Sequence, residues 1–377
     1  MAVDTRTVAA RGRWERVDQL RGLAALAVVV CHLAVSADRE APNLDGGLWS
    51  WLALVLGFGY LGVPLFFVIS GFCIHLPQAR ALARADPVAA APEWPRFFAR
   101  RFWRLYPPYL ASLVVALALW WLAGSPIPWL AVTTQALLVH AFHTATFDGV
   151  NPPAWTLAVE AQLYLAYPVV FWFVARLGAL RALAAVLGVT MAYRMVLGLA
   201  QPLPAELGGP AWELFLARWF EWVLGAVVAE WAAGRLALPR VLSTRWPGAV
   251  TLAAGVLIEW HAGYYGLYIV KEPFYGVAFA LILCAALAHE RPGLGSAPGR
   301  YLARVGVYSY SLYLLHRPIQ LAFEPLAREV ATWPGVVAHG VPSSLLVMAA
   351  TTPLVLWASR IFYRFCERPS IRRSQAL

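Results

Sequence analysis

Residues 20–33 read Leu20-Arg21-Gly22-Leu23-Ala24-Ala25-Leu26-Ala27-Val28-Val29-Val30-Cys31-His32-Leu33. Between the arginine and the histidine every side chain is apolar or small, as expected of a helix set in hydrocarbon. If the run is helical, both polar residues fall on one face, about 16 Å apart along the axis at about 1.5 Å per residue. Ionisable groups inside an apolar helix are costly, and where they occur they face a cavity or a pathway. The bland counterpart is a snorkelling arginine and a core histidine bonded to a neighbouring helix. For two groups on one face the functional reading is the stronger.

The rest of the chain extends the pattern. Its 377 residues are 60% hydrophobic and 13% charged, with a mean hydropathy of +0.62. A soluble domain carries about twice that charge. Apolar stretches of spanning length recur from end to end, so the expected fold class is all-α: a polytopic integral membrane protein of about ten transmembrane helices. The expected spans are 17–36, 60–77, 105–123, 157–175, 182–199, 213–232, 247–261, 273–289, 305–322 and 340–360. Residues 1–16 then form a basic N-terminal tail, 17–361 the transmembrane domain and 362–377 a basic C-terminal tail. A basic N-terminus before an apolar run also resembles a cleaved leader. The lack of a small-x-small site, the histidine and the later spans argue against one.

Arginine sets the orientation. The net charge of +10 is carried by arginine, with a single lysine, Lys271. With both termini cytoplasmic, Arg6, Arg11, Arg13 and Arg16 fall inside, as do the cluster Arg80 to Arg104, Arg176 and Arg181, Arg235 to Arg245, Arg291 to Arg304, and Arg364 to Arg373. The opposite segments hold only Arg39 and Arg328. Membrane topology therefore accounts for the positive charge without a nucleic-acid partner. The apolar stretch 128–141 would invert this order if it crossed, so it is expected to be re-entrant or interfacial. Cys31, Cys73, Cys284 and Cys366 are dispersed and show neither a disulfide framework nor metal-ligand spacing.

Five elements carry candidate chemistry. Arg21 and His32 are the first; Asp18 can pair with Arg21 at i, i+3, and a buried neutral imidazole can serve as a base. Arg101 and Arg104, in Arg100-Arg101-Phe102-Trp103-Arg104, share a helix face and suit phosphate by bidentate hydrogen bonding, or are a plain positive flank. In Leu65-Phe66-Phe67-Val68-Ile69-Ser70-Gly71-Phe72 the small residues point first to close helix packing. Ser70 has no base near it in sequence, and His75 is expected at the interface. Glu160 and Tyr164 share a face at i, i+4. Glu160 is either functional or buried in a pair with Arg194 or Arg218, two arginines within spans that need partners. Last, Ser309-Tyr310-Ser311-Leu312-Tyr313-Leu314-Leu315-His316-Arg317 sets His316 deep in the ninth span, one turn after Tyr313.

In this order and spacing the elements resemble the membrane-bound acyltransferase 3 family, from Leu20 to Pro369. The match rests on Arg-x10-His at 21 and 32, Arg-x-x-Arg at 101 and 104, the runs at 65–72, 155–164 and 309–316, and the closing Glu367-Arg368-Pro369. Two positions depart from it: Pro64 and Ala161 stand where members often carry acidic residues, so carboxylate chemistry must rest on Glu160. No hydrolase-like domain follows the last span, so transfer is expected to finish in the membrane domain or with a partner.

The resemblance implies a multi-pass enzyme of the bacterial inner membrane. It would transfer an acyl group, acetyl first among them, from acyl-CoA to a hydroxyl of a carbohydrate or glycosylated natural product, with acyl-CoA as co-substrate and no bound cofactor or metal. Arg101 and Arg104 would take the donor phosphates. Arg21 would hold the donor or offset charge on the thioester oxygen, and His32 would accept the hydroxyl proton. Glu160, Tyr164, Ser70, Tyr313 and His316 would support the site or bind the acceptor. A covalent acyl-histidine fits the same residues. The alternative from another class is a transporter or flippase using intramembrane Arg, His and Glu as a pathway. Inverted repeats would favour it, and none is visible.

Overall fold

The computed structural model describes residues 5–40, 48–88, 90–206, 208–261, 269–289, 296–339 and 343–377. The side chains of Arg6, Arg11, Arg13 and Arg39, and the whole of Arg291, lie outside the described residues.

Among the described residues the chain is helical, with no strand. The long helices are α1 (Thr5–Glu40), α2 (Gly62–Leu82), α3 (Trp94–Leu122), α4 (Trp155–Leu177), α5 (Ala179–Leu199), α6 (Phe215–Ala232), α7 (Arg245–His261) and α8 (Lys271–Ala288), followed by α9 (Ala297–Val307), α10 (Ser309–Ala322), α11 (Ser343–Phe362) and α12 (Arg368–Ala376). Among the described residues six helical segments are long and apolar enough to cross a membrane: Leu54–Leu82, Trp94–Leu122, Pro152–Leu177, Ala179–Leu199, Lys271–Ala288 and Leu345–Ala376. This is the build of a multi-pass membrane protein. Helix α6 falls short on polarity, because Arg218, Glu221 and Glu230 interrupt its apolar face. The expected ninth span is two helices, α9 and α10, broken at Tyr308 (φ −111°, ψ 21°). Residues 129–136 form a helix of 8 residues, about 12 Å long and too short to cross. Tyr106 and Tyr109 of α3 tie it down by donating to the carbonyls of Ala136 (2.8 Å) and Gln135 (2.7 Å).

Close helix contact without bulky side chains holds the centre together. Helices α2 and α6 meet with glycine on both sides. A Cβ on Gly71 would lie 1.9 Å from the Trp222 carbonyl oxygen, and one on Gly225 would lie 1.9 Å from that of Val68. The crossing lays Trp222, which is fully buried, beside Ser70. Helices α1 and α9 meet in the same way through Gly22 and Gly306.

Helix α3 starts eleven residues before its expected span, because its arginine-rich first turns lie against α12. Ser370 Oγ donates to the Trp103 carbonyl and Ser374 Oγ to that of Arg100 at 2.9 Å, while Arg373 sits 5.1 Å over the Trp103 ring.

Candidate active site

Helices α1, α2, α3, α4 and α10 line a cavity of about 180 Å³. Helix α1 contributes Arg21 alone, and the others contribute residues at helical spacing. Thr156, Glu160 and Tyr164 of α4 line it at i, i+4 and i+8, and Val63, Phe66, Ser70, Cys73 and Ile74 of α2 form another stripe. All five expected elements supply polar groups to the lining: Arg21, then Arg101 and Arg104, Ser70, Glu160 and Tyr164, and Tyr313.

Arg21, Arg101 and Arg104 all line the cavity. Arg21 Nη1 is 3.7 Å from Asp18 Oδ1, the expected i, i+3 pair. Arg104 Nη1 is 3.6 Å from Glu367 Oε1. Arg101 has no carboxylate within ion-pair distance among the described residues; it lies 5.5 Å over the Phe97 ring, and its buried Nε–H has no acceptor. Both ion pairs are longer than a tight guanidinium–carboxylate bond of about 2.7–2.9 Å. This part of the cavity keeps an excess of positive charge and hydrogen-bond donors, the requirement for binding an anion.

A second polar cluster faces it. Ser70 Oγ–H donates to Glu160 Oε1 at 2.9 Å, the Tyr164 hydroxyl donates to the same oxygen, and Trp222 Nε1–H donates to Ser70 Oγ at 3.3 Å. Hydroxyls therefore satisfy Glu160, and the expected arginine pairs are corrected. Arg194 is bound to Glu272 and the Ile269 carbonyl, and Arg218 to Glu213, Glu221 and Glu272. His75 is fully buried among the helices and sits between the Tyr167 hydroxyl (3.0 Å) and Glu230 (2.8 Å), which Arg235 holds in turn at 2.9 Å.

The third part is the histidine pair. Thr156 Oγ–H donates to the Tyr313 hydroxyl at 2.8 Å, which donates to the Pro153 carbonyl at 2.9 Å. Tyr313, in the cavity wall, packs 5.7 Å from the His316 ring. His316 stands edge-on to His32, with ring centroids 5.0 Å apart. Neither imidazole is itself part of the lining.

The bonding partners assign the tautomers. His316 Nδ1 faces the carbonyls of Leu312 (3.1 Å) and Tyr313 (2.8 Å), so it carries the proton and Nε2 the lone pair. His32 Nδ1 faces the Val28 carbonyl at 2.9 Å and His316 Nε2 at 3.3 Å. Both are acceptors, so His32 Nδ1 is the protonated nitrogen and, in the neutral ring, Nε2 holds the basic lone pair.

Sequence reasoning left several lining groups without a part: Thr156, Ser309, Tyr310 and Cys73. The first was findable, since it stands four residues before Glu160 on the same face. Ser309 was not: its Oγ is buried with no hydrogen-bond partner, a property only the packing reveals.

The comparisons agree with one another. A family model described as an acyltransferase domain matches residues 14–363. Acyltransferase MdmB of Streptomyces mycarofaciens is 29% identical over 325 residues, covering 79% of this chain and 76% of its own length. A putative membrane-bound transacylase, BcsY of Komagataeibacter xylinus, is 27% identical over 394 residues, covering 96% of this chain and 84% of its own length. The peptidoglycan O-acetyltransferase OatA of Listeria monocytogenes is 24% identical over 389 residues, covering 94% of this chain and 55% of its own length. No solved structure matches.

Proposed function

The chain belongs to the acyltransferase 3 family and is a membrane acyltransferase, and on that premise we propose that it moves an acyl group, acetyl first among them, from acyl-CoA to a hydroxyl of a carbohydrate or glycosylated natural product. The site proposed for the reaction is the cavity and its histidine pair, in a multi-pass protein of the bacterial inner membrane. The observation that carries this reading is Arg101: a guanidinium in a cavity wall with no carboxylate partner among the described residues and a buried N–H still unsatisfied. Such a group calls for an anion.

The donor phosphates meet Arg101, Arg104 and Arg21. His32 lies about 16 Å further along α1, comparable to the reach of an extended pantetheine arm, so a donor held by its phosphates directs its thioester towards the imidazoles. Arg21 therefore serves the phosphates and not the thioester oxygen. His32 Nε2 takes the proton from the acceptor hydroxyl as that oxygen attacks the thioester carbonyl. The new C–O bond forms, the C–S bond breaks, and the proton passes from the imidazolium to the departing thiolate. His316 Nε2 accepts from His32 Nδ1–H and steadies the ring while it is charged. Glu160, set by Ser70 and Tyr164, offers a carboxylate oxygen to a hydroxyl or amide N–H of either substrate. Tyr313, anchored through Thr156 and Pro153, joins the cavity wall to the His316 ring.

The test is transfer of radiolabel from acetyl-CoA to a panel of glycosides by detergent-purified protein. Label in an alkali-labile ester, lost with His32→Ala while the variant stays monodisperse, is the expected result. Hydroxyl acylation unchanged in His32→Ala contradicts the reading.

A further inference from the structure

Glu367 closes the π-helical turn Tyr363–Glu367 between α11 and α12 and is fully buried. Such turns carry an extra residue and recur at functional sites. Its Oε2 accepts from the Ser311 backbone N–H at 3.1 Å and from Ser311 Oγ–H at 2.6 Å. Its Oε1 has no hydrogen-bond partner and stands 3.6 Å from Arg104 Nη1, its one cationic neighbour at ion-pair distance among the described residues. Ser311 anchors the carboxylate from α10, while the other oxygen is left towards the guanidinium of α3.

A buried carboxylate held at one oxygen is a fixed charge, and fixed charges orient what they face. The surrounding contacts tie both α10 and α12 to α3. Tyr310 of α10 donates to the Leu105 carbonyl at 2.8 Å, one residue beyond Arg104. Ser370 and Ser374 of α12 reach the carbonyls of Trp103 and Arg100 on either side of Arg101. The end of the chain thus grips the stretch of α3 that brings Arg101 and Arg104 to the cavity. The 3.6 Å separation leaves the guanidinium charge incompletely matched, and four of its five N–H donors lie off that contact.

We propose that Glu367 is a positioning residue for Arg104: it holds the guanidinium in the cavity wall so that its remaining donors meet a phosphate of the donor substrate. This rests on the donor site argued above. It assigns the closing Glu-Arg-Pro segment, far from α3 in sequence, to donor binding.

The experiment is a double-mutant cycle of coenzyme A binding, read by calorimetry on the full chain in detergent, with pantetheine as the ligand lacking phosphate. Glu367→Gln keeps the shape and an acceptor for Ser311 but removes the charge. It is expected to weaken coenzyme A binding by about tenfold and pantetheine binding by less than about twofold. Arg104→Ala weakens coenzyme A binding at least as much, and adding Glu367→Gln to it changes little further. If Glu367→Gln does not purify as a monodisperse species, Glu367→Asp, which withdraws the charge by one methylene, is held to the same expectations. Equal loss for both ligands, or full additivity with Arg104→Ala, overturns the positioning role. If Arg104→Ala weakens coenzyme A and neither Glu367 variant does, the positioning role alone is wrong. If Arg104→Ala leaves coenzyme A binding unchanged, the donor site itself is wrong.

Discussion

His316 Nε2 lies 3.3 Å from His32 Nδ1, and each ring's Nδ1 points at a carbonyl of its own helix. His316 thus supports the tautomer of a residue 284 positions away: the Nδ1–H of His32 is shared between a carbonyl and an imidazole, and its Nε2 is the basic atom. His316→Ala is expected to lower kcat by about tenfold to a hundredfold while leaving donor affinity within about twofold, because it removes the group that orients the base. Steady-state transfer assays with donor titration check this. A changed donor KM at constant kcat would place His316 in donor binding instead.

Arg101 is the cavity guanidinium without a carboxylate partner among the described residues. Arg101→Ala is expected to raise the donor KM about tenfold or more, and Arg101→Lys to recover only part of it, because an ammonium lacks the planar fork. The affinity of the unsubstituted protein should fall as salt is raised. Coenzyme A titrations at two ionic strengths measure both effects.

The Tyr164 hydroxyl donates to a carboxylate oxygen that also accepts from Ser70. Tyr164→Phe leaves Glu160 with one donor fewer in a largely apolar cavity. The expected cost is about 1.5–3 kcal/mol of stability, seen as a lower midpoint in thermal unfolding followed by tryptophan fluorescence. An unchanged midpoint would mean that water replaces the hydroxyl at no cost.

Gly225 and Gly188 provide a matched pair. A Cβ at 225 would meet the Val68 carbonyl oxygen at 1.9 Å, whereas one at 188 meets nothing within 4 Å. Gly225→Ala is therefore expected to abolish the monodisperse species in size-exclusion chromatography. Gly188→Ala should be neutral or stabilising by up to about 1 kcal/mol. Equal behaviour of the two variants would contradict the α2–α6 crossing.

The helices were legible because hydropathy and length report directly on burial in hydrocarbon, and the Arg-x10-His and Arg-x-x-Arg spacings because helical periodicity is local. The break at Tyr308 was not legible. It stands two residues after Gly306, where a Cβ would meet the Asp18 carbonyl oxygen at 1.8 Å, so it lies beside a close approach of α1 that local sequence does not reveal. The partners of Glu160 were misjudged for a related reason. Charge alone pointed to Arg194 or Arg218, but Glu272, Glu213 and Glu221 stand closer to those arginines. The Tyr164 bond, one turn away on α4, was within reach of local reasoning; those of Ser70, His316 and Glu367 depend on packing between distant helices.

His32 is proposed as the base, with the donor held elsewhere. The most direct measurement pairs two readings on His32→Ala: acetyl transfer to a responsive glycoside, and coenzyme A affinity by calorimetry. The account predicts transfer lowered by about a hundredfold or more with affinity within about threefold of the unsubstituted protein. Transfer that survives, or a loss explained wholly by weaker coenzyme A binding, would contradict it.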